Sequence, residues 1–217
     1  MDTATSRVVL AAGLTDGTPV GATTWVAGYR HGETLLPAIG RLTGEANLRR
    51  SRLAGIVVGT GPGAFTGLRV GLATAKGLAH GLGVPIAGVS TAEALLDAAR
   101  ADGVVGDRLA LLVPAGPSDR VVVEEGRAPV LVPGGSEPEL PAGTTIVAVD
   151  LDGRADPAAV ARGERARSGL ASALLRLGAA RLGSTPDDLT TLVPVYVTLP
   201  RGVRAEGGEV TWSHGPR

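Results

Sequence analysis

Residues 59–96 read GTGPGAFTGLRVGLATAKGLAHGLGVPIAGVSTAEALL. A short apolar run at 54–59 leads into this stretch, a glycine-rich turn follows, and residues 66–82 carry the 3.6-residue periodicity of a helix. A second short apolar run at 85–89 and a helical pattern at 91–101 complete a strand–helix–strand–helix order, the alternation of an α/β fold. The helix at 66–82 contains Gly67, Gly71, Gly77 and Gly81, each costing about 1 kcal/mol relative to alanine. On a helical wheel Gly67, Gly71, Leu78 and Leu82 share one face, flanked by Leu68, Leu72, Ala75 and Ala79, while Arg69, Lys76 and His80 form a polar stripe opposite. An earlier helix at 33–46 places Leu35, Leu36, Ile39 and Leu42 on one side, accepts Pro37 in its first turn, and carries Gly40 and Gly44 four apart. Small residues at that spacing let helix backbones approach closely. A sheet covers one face of such helices, so the expectation is a second polypeptide on the other. On this reading Gly71→Leu abolishes association and leaves the fold intact.

Phosphate-loop and dinucleotide readings of the same segment do poorly. No glycine pair has the Gly-x4-Gly-Lys-Ser/Thr spacing ahead of Lys76, the only lysine. Gly59-x-Gly61-x-x-Ala64 fits the dinucleotide fingerprint, but Pro62 and Gly63 delay the helix and no acid stands about 20 residues on. Gly88-Val-Ser90-Thr-Ala92 has the outline of a nucleophile elbow, with Asp150 and His214 following in hydrolase order. Against it, Ser90-x-x-Glu93 is a capping box, in which the serine serves a helix N–H.

Working outward, residues 6–12 and 19–27 are β-rich runs joined by Thr15-Asp16-Gly17-Thr18, the chemistry of an antiparallel hairpin. Beyond Gly103, strands at 108–113, 120–125, 130–132 and 144–151 are connected by Pro/Gly-rich loops, and a helix spans about 168–182. The expected organisation is a lobe over residues 1–103, a smaller lobe over 104–200 and a frayed tail at 201–217.

Composition narrows the function. Across 217 residues, 21 Lys+Arg balance 21 Asp+Glu and no basic run occurs, so autonomous nucleic-acid binding, which needs clustered cations, is not expected. The absence of cysteine removes disulfides, thiolate metal sites and thiol nucleophiles. His31, His80 and His214 have no metal-ligand spacing, so neither metal nor cofactor is expected. The N-terminus lacks the apolar core of a signal peptide, and the apolar stretches fall short of a membrane span, so a cytoplasmic location is the expectation. His31 and Glu33 open a helix, where an acid suits the dipole, and read as cap or interface before catalysis. Asp2 and the Asp150-Leu151-Asp152-Gly153 turn have the outline of two phosphate loops, the basis of an ATP-dependent kinase reading. Phe65, the lone phenylalanine, reads as a core anchor.

The run GxGPGAFTGLRVGLATAKGLA, followed by GVPIAGVSTAEAL, strongly resembles the TsaB (YeaZ) family. Arg30-His31-Gly32-Glu33-x-Leu35-Leu36-Pro37 resembles that family's RHSExLLP segment, and Asp2-Thr3-Ala4-Thr5 resembles its first loop. The resemblance implies an actin-like ATPase (RNase H-like) fold of two lobes, with a mixed sheet flanked by helices and the usual phosphate and metal chemistry lost. It implies a non-catalytic subunit in threonylcarbamoylation of the adenosine beside the tRNA anticodon. The partners implied are a catalytic TsaD subunit, a TsaE ATPase docking on the pair, a second copy when the chain is alone, and tRNA only through the complex. The family's TsaB–TsaD contact uses the first two helices, which makes Leu35, Ile39, Gly40, Gly44, Gly67, Leu68, Gly71, Leu72, Ala75 and Leu78 the candidate interface, with His31 and Glu33 at its edge.

Three features depart from the family pattern. An apolar strand precedes the Asp-Thr loop in relatives, whereas Asp2 here follows Met1, so the expectation is either an upstream start or a lobe lacking an internal strand. The segment Pro114–Val122 replaces an Asp-Ala-Arg motif, and Pro194-Val-Tyr196-Val-Thr198 lacks the arginine of a Pro-x-Tyr-Leu-Arg motif.

Overall fold

A computed structural model describes residues 1–26, 28 and 31–197. Strands β1 (Arg7–Gly13) and β2 (Pro19–Val26) form an antiparallel hairpin with an irregularity at Ala12/Gly13. Its turn closes through Leu14 N–H donating to Thr18 O at 2.8 Å, and Asp16 Oδ1 accepts from Thr18 N–H at 2.8 Å. Helix α1 (His31–Glu45) lays Leu35, Ala38 and Leu42 onto Val8 and Leu10 of β1. Strand β3 (Ile56–Gly59) leads into α2 (Phe65–Leu82), and β4 (Ile86–Val89) pairs with β3 in parallel before α3 (Thr91–Ala101). Gly83, in the left-handed region at φ 65°, ends α2 by donating its N–H to the last turn.

A four-stranded mixed sheet follows. In order β7 (Val130–Val132), β6 (Arg120–Glu124), β5 (Arg108–Pro114) and β8 (Thr144–Ala148), its β5–β8 pair is parallel and the others antiparallel. Strand β8 stops at Ala148, short of the expected 151, because Asp150 takes φ 59° and the chain turns. Helix α4 (Pro157–Ser184) starts far earlier than the expected 168. Its first turns, PAAVARGERAR, have no apolar stripe to announce a helix; they bury Ala159, Gly163, Ala166 and Arg167 instead. The start is nonetheless well specified: Asp156 caps it by accepting from Ala159 N–H at 3.0 Å, and Pro157 stands at N1.

Helix α4 organises the molecule. It packs on α3 and β8 and reaches across β1, β3 and β4. Small residues permit this: a Cβ on Gly163 would stand 1.8 Å from Ala148 O, and one on Gly178 would stand 2.3 Å from Val57 Cγ2. The largest buried cluster accordingly joins Val9 and Val89 to α3, β5, β6, β8 and α4.

Residues Met1 and Asp2 lie between β1 and β3. Asp2 N–H donates to Val9 O (2.8 Å), and Val9 N–H donates to Asp2 O (2.9 Å). On the other side the Met1 amino group donates to Val57 O and Gly59 N–H donates to Met1 O. Two residues thus tie the hairpin to the parallel pair.

Candidate functional site

The glycine-rich segment receives the chain's own first loop, residues 2–5. A Cβ at Gly59 would meet Asp2 Oδ2 at 1.7 Å, one at Gly63 would meet Ala4 O at 2.1 Å, and one at Gly71 would meet Thr3 Oγ1 at 2.1 Å. Hydrogen bonds lock the fit: Thr3 Oγ1 donates to Gly67 O (2.7 Å), and Ala64 N–H donates to Ala4 O (2.7 Å). Asp2 is fully buried; its carboxylate accepts from Ala4 N–H (2.9 Å) and from Thr91 Oγ1 (2.6 Å). Burial pushes this carboxyl above the usual range, while those two bonds and the nearby amino group pull the other way. Burial also lowers the Met1 amine to about 6.

The second acidic turn closes onto the same loop. Asp150 accepts from Ser6 N–H (2.7 Å), from Ser6 Oγ (2.5 Å) and from Arg167 Nη2 (2.5 Å). Arg167, only 8 % exposed, also faces Glu164 at 3.5 Å. Sequence reading missed this clasp because Arg167 lay outside the expected helix. The two turns outlined as phosphate loops therefore have their leading carboxylates, Asp2 and Asp150, engaged by neighbouring groups of the same chain.

The expected interface residues divide into two sets. Gly67, Leu68, Gly71, Leu72 and Ala75 form the inner face of α2, and Leu35 is buried under α1. Gly71 faces Thr3, so the expectation that Gly71→Leu spares the fold is corrected: its side chain would enter space that Thr3 occupies. Gly40 and Gly44 on α1 are exposed, with nothing within 4 Å of where a β-carbon would stand, and Gly77 and Gly81 on α2 are alike. Leu36 is 56 % exposed beside Pro37, while Ile39 and Leu78 are half-buried. The outward side of the two helices thus carries open glycines, Gly40, Gly44, Gly77 and Gly81, among exposed Leu36, Arg41, Arg69 and His80. His31 is the first residue of α1, and Glu33 is the acid of its first turn.

Ser90 caps α3, accepting from Glu93 N–H at 3.3 Å, the serine half of the capping box; the Glu93 side chain makes no return bond to the Ser90 N–H. Its hydroxyl donates to Gly61 O at 3.4 Å. His214, the third member of the hydrolase reading, lies outside the described residues, as does the expected tail at 201–217. Phe65 is half-buried and not a core anchor; its ring lies 4.9 Å from that of Tyr196, with the Arg69 guanidinium 5.1 Å from its centroid. Among the described residues no three of His, Cys, Asp or Glu gather as metal ligands, and no helix is long and apolar enough to cross a membrane.

Comparison with known proteins matches this architecture. The family model described as "TsaD: tRNA N6-adenosine threonylcarbamoyltransferase" matches residues 21–132, just over half of the chain. An uncharacterized protein of Mycobacterium tuberculosis is 39% identical over 98 residues, covering 44% of this chain and 46% of its own length. The tRNA threonylcarbamoyladenosine biosynthesis protein TsaB of Bacillus subtilis is 40% identical over 65 residues, 30% of this chain and 28% of that protein. The chain thus matches less than half the length of these curated relatives. Among solved structures, YeaZ from Pseudomonas aeruginosa superposes with a TM-score of 0.67 at 23% identity, covering 90% of this chain and 97% of YeaZ, so the fold is the actin-like (RNase H-like) α/β fold. The chain belongs to the TsaD family of that match, and TsaB-named proteins and YeaZ are among those it is similar to.

Proposed function

We propose that this chain is a non-catalytic cytoplasmic subunit required for threonylcarbamoylation of the adenosine beside the tRNA anticodon. It acts by docking the outward side of α1 and α2 onto a TsaD-like subunit. A TsaE-like ATPase joins the pair, tRNA is met only through the complex, and the isolated chain pairs with a second copy. One contrast carries the reading. The carboxylates that would serve phosphate chemistry, Asp2 and Asp150, are engaged by Thr91, Ser6 and Arg167, whereas Gly40, Gly44, Gly77 and Gly81 present open backbone on adjacent helices. Open small residues admit a close helix neighbour without a rearrangement of this chain.

The test is co-purification with the TsaD-like protein of the same cell, followed by a threonylcarbamoyl-transfer assay with and without the chain. Stable association and transfer dependent on the chain are expected. Transfer at full rate without it overturns the proposal. ATP turnover by the isolated chain, or labelling of Ser90 by a fluorophosphonate, overturns the non-catalytic part and favours the kinase or the hydrolase respectively.

A further inference from the structure

A concave surface lies away from α1 and α2, and none of their residues lines it. It is a groove of about 450 Å³ between the loop joining α3 to β5 and the first turns of α4, lined by Val104, Val105, Ala158, Ala161, Arg162 and Arg165. Its size falls within the range of ligand clefts. Val105 is 85 % exposed, and its loop is hydrogen-bonded to its surroundings. Val104 N–H donates to Ala99 O (2.9 Å), Thr145 Oγ1 donates to Val105 O (3.3 Å), and Arg100 Nη1 donates to Gly106 O (3.3 Å). Gly106, at φ 159° and with Thr145 Oγ1 2.6 Å from a Cβ position, fits this close approach. The loop thus presents one valine beside the groove.

The charges around the groove bear on what it would hold. Arg165 is answered by Asp102 at 3.0 Å. Arg162 uses Nε to donate to Ile146 O (2.7 Å), and no acceptor among the described residues takes its two Nη groups. The rim therefore has one unmatched planar cation next to an apolar wall. We propose that the groove binds the carboxy-terminal residue of a partner polypeptide, an apolar side chain against Val104, Val105 and Ala161 with its α-carboxylate on the Arg162 fork. Guanidinium–carboxylate pairing is bidentate and directional, so the carboxylate sets the pose and the apolar contact adds affinity.

The full chain, labelled with ¹⁵N, is titrated at millimolar concentration with the tetrapeptide acetyl-Gly-Ser-Ala-Leu, with its C-terminal amide and with octanoate. The expected result is that the free-acid peptide shifts amide resonances of residues 103–105 and 158–165, and that the amide binds about tenfold or more weakly. Arg162→Gln loses a similar factor, and Val105→Ser, a change at an exposed position that leaves the loop bonds in place, weakens binding several-fold. Equal binding of acid and amide, or unchanged binding by Arg162→Gln, overturns the proposal, as does an absence of shifts. Octanoate binding as tightly as the peptide assigns the groove to free apolar acids and overturns the polypeptide occupant. None of these readouts depends on tRNA modification, so the outcome is separable from that of the proposed function.

Discussion

Gly71 and Thr3 share one space: the hydroxyl of Thr3 stands 2.1 Å from where a β-carbon on Gly71 would be, and it donates to Gly67 O one turn earlier. The helix gives up a side chain at Gly71 so that a loop distant in sequence can lie on its backbone. Gly71→Ala therefore forces Thr3 or the helix to move, a cost of about 1–3 kcal/mol. The cost depends on Thr3, and combining Gly71→Ala with Thr3→Ala returns part of it. A double-mutant cycle by urea unfolding checks this; purely additive losses would refute the pairing.

Much of this fold was legible because the strand–helix order and the helix periodicity are local properties. The order of elements, the hairpin, α1, α2 and the Ser90 cap all follow from residues within a few positions of one another. Glycine is different, since its side chain says nothing of what stands above it. The wheel sets Gly67 and Gly71 apart from Gly77 and Gly81, but only tertiary contact shows that the first pair lies under Thr3 and the second is left open. The start of α4 escaped its periodicity for a related reason, although Asp156 and Pro157 mark it as cap and first position. Its first turns bury alanine, glycine and an ion-paired arginine, none of which makes an apolar stripe.

The Asp150–Arg167 pair predicts a large loss on removal of the cation. Arg167 is buried and Asp150 nearly so, and Arg167→Met leaves the carboxylate with Ser6 alone. A charge stranded in this way costs about 3–5 kcal/mol, more than the intact pair contributes. Asp150→Asn combined with Arg167→Met recovers a substantial part, because no uncompensated charge remains. Guanidinium unfolding of the three variants is the measurement, and a double variant no more stable than Arg167→Met contradicts it.

Opposite signs govern the two titrating groups at the N-terminus. The Met1 amine falls to about 6 in the fold from 8.0, so between those values the unfolded chain holds more protons and stability rises with pH. A shift of that size corresponds to about 2–3 kcal/mol. Asp2 is raised above 3.8, so the fold holds more protons there, and stability falls as pH climbs through the raised value. Asp2→Asn stays neutral throughout. Its stability relative to the parent chain should improve as pH climbs from 3.8 through the parent's raised value, where the parent loses stability and the variant does not. Chemical denaturation at each pH gives the difference directly; a flat difference would remove Asp2 as the source.

Replacing Gly40 or Gly77 with leucine separates the open face from the buried one. Neither position has a neighbour within 4 Å, so the folded chain accommodates the side chain and thermal unfolding changes by only a few degrees. Association with the TsaD-like subunit, measured by co-purification, is expected to fail in both. A variant that still associates at parental strength removes that helix from the docking face.

The ladder beside Met1 makes the last expectation. Val9 spends its N–H and C=O on Asp2, so strand alternation aims those of Ala11 to the same side, away from β2. On β3, Gly59 N–H and Val57 O bond Met1, which leaves Val57 N–H aimed at the continuation of that line. An engineered apolar extension of about five residues ahead of Met1 would run antiparallel to β1 and parallel to β3, the two edges that flank it. It also turns the buried amine into a neutral amide and so removes the cost of desolvating a cation. Both effects have the same sign, and an alternating valine–leucine extension should raise the melting temperature and protect Ala11 and Val57 amides from hydrogen exchange. A proline placed in the middle of that extension removes a ladder donor and should cancel the protection. Extension without any gain in stability would mean that α4 side chains already fill the line, which the near contact of Leu175 with Gly13 and of Leu182 with Gly55 makes the specific competitor to exclude.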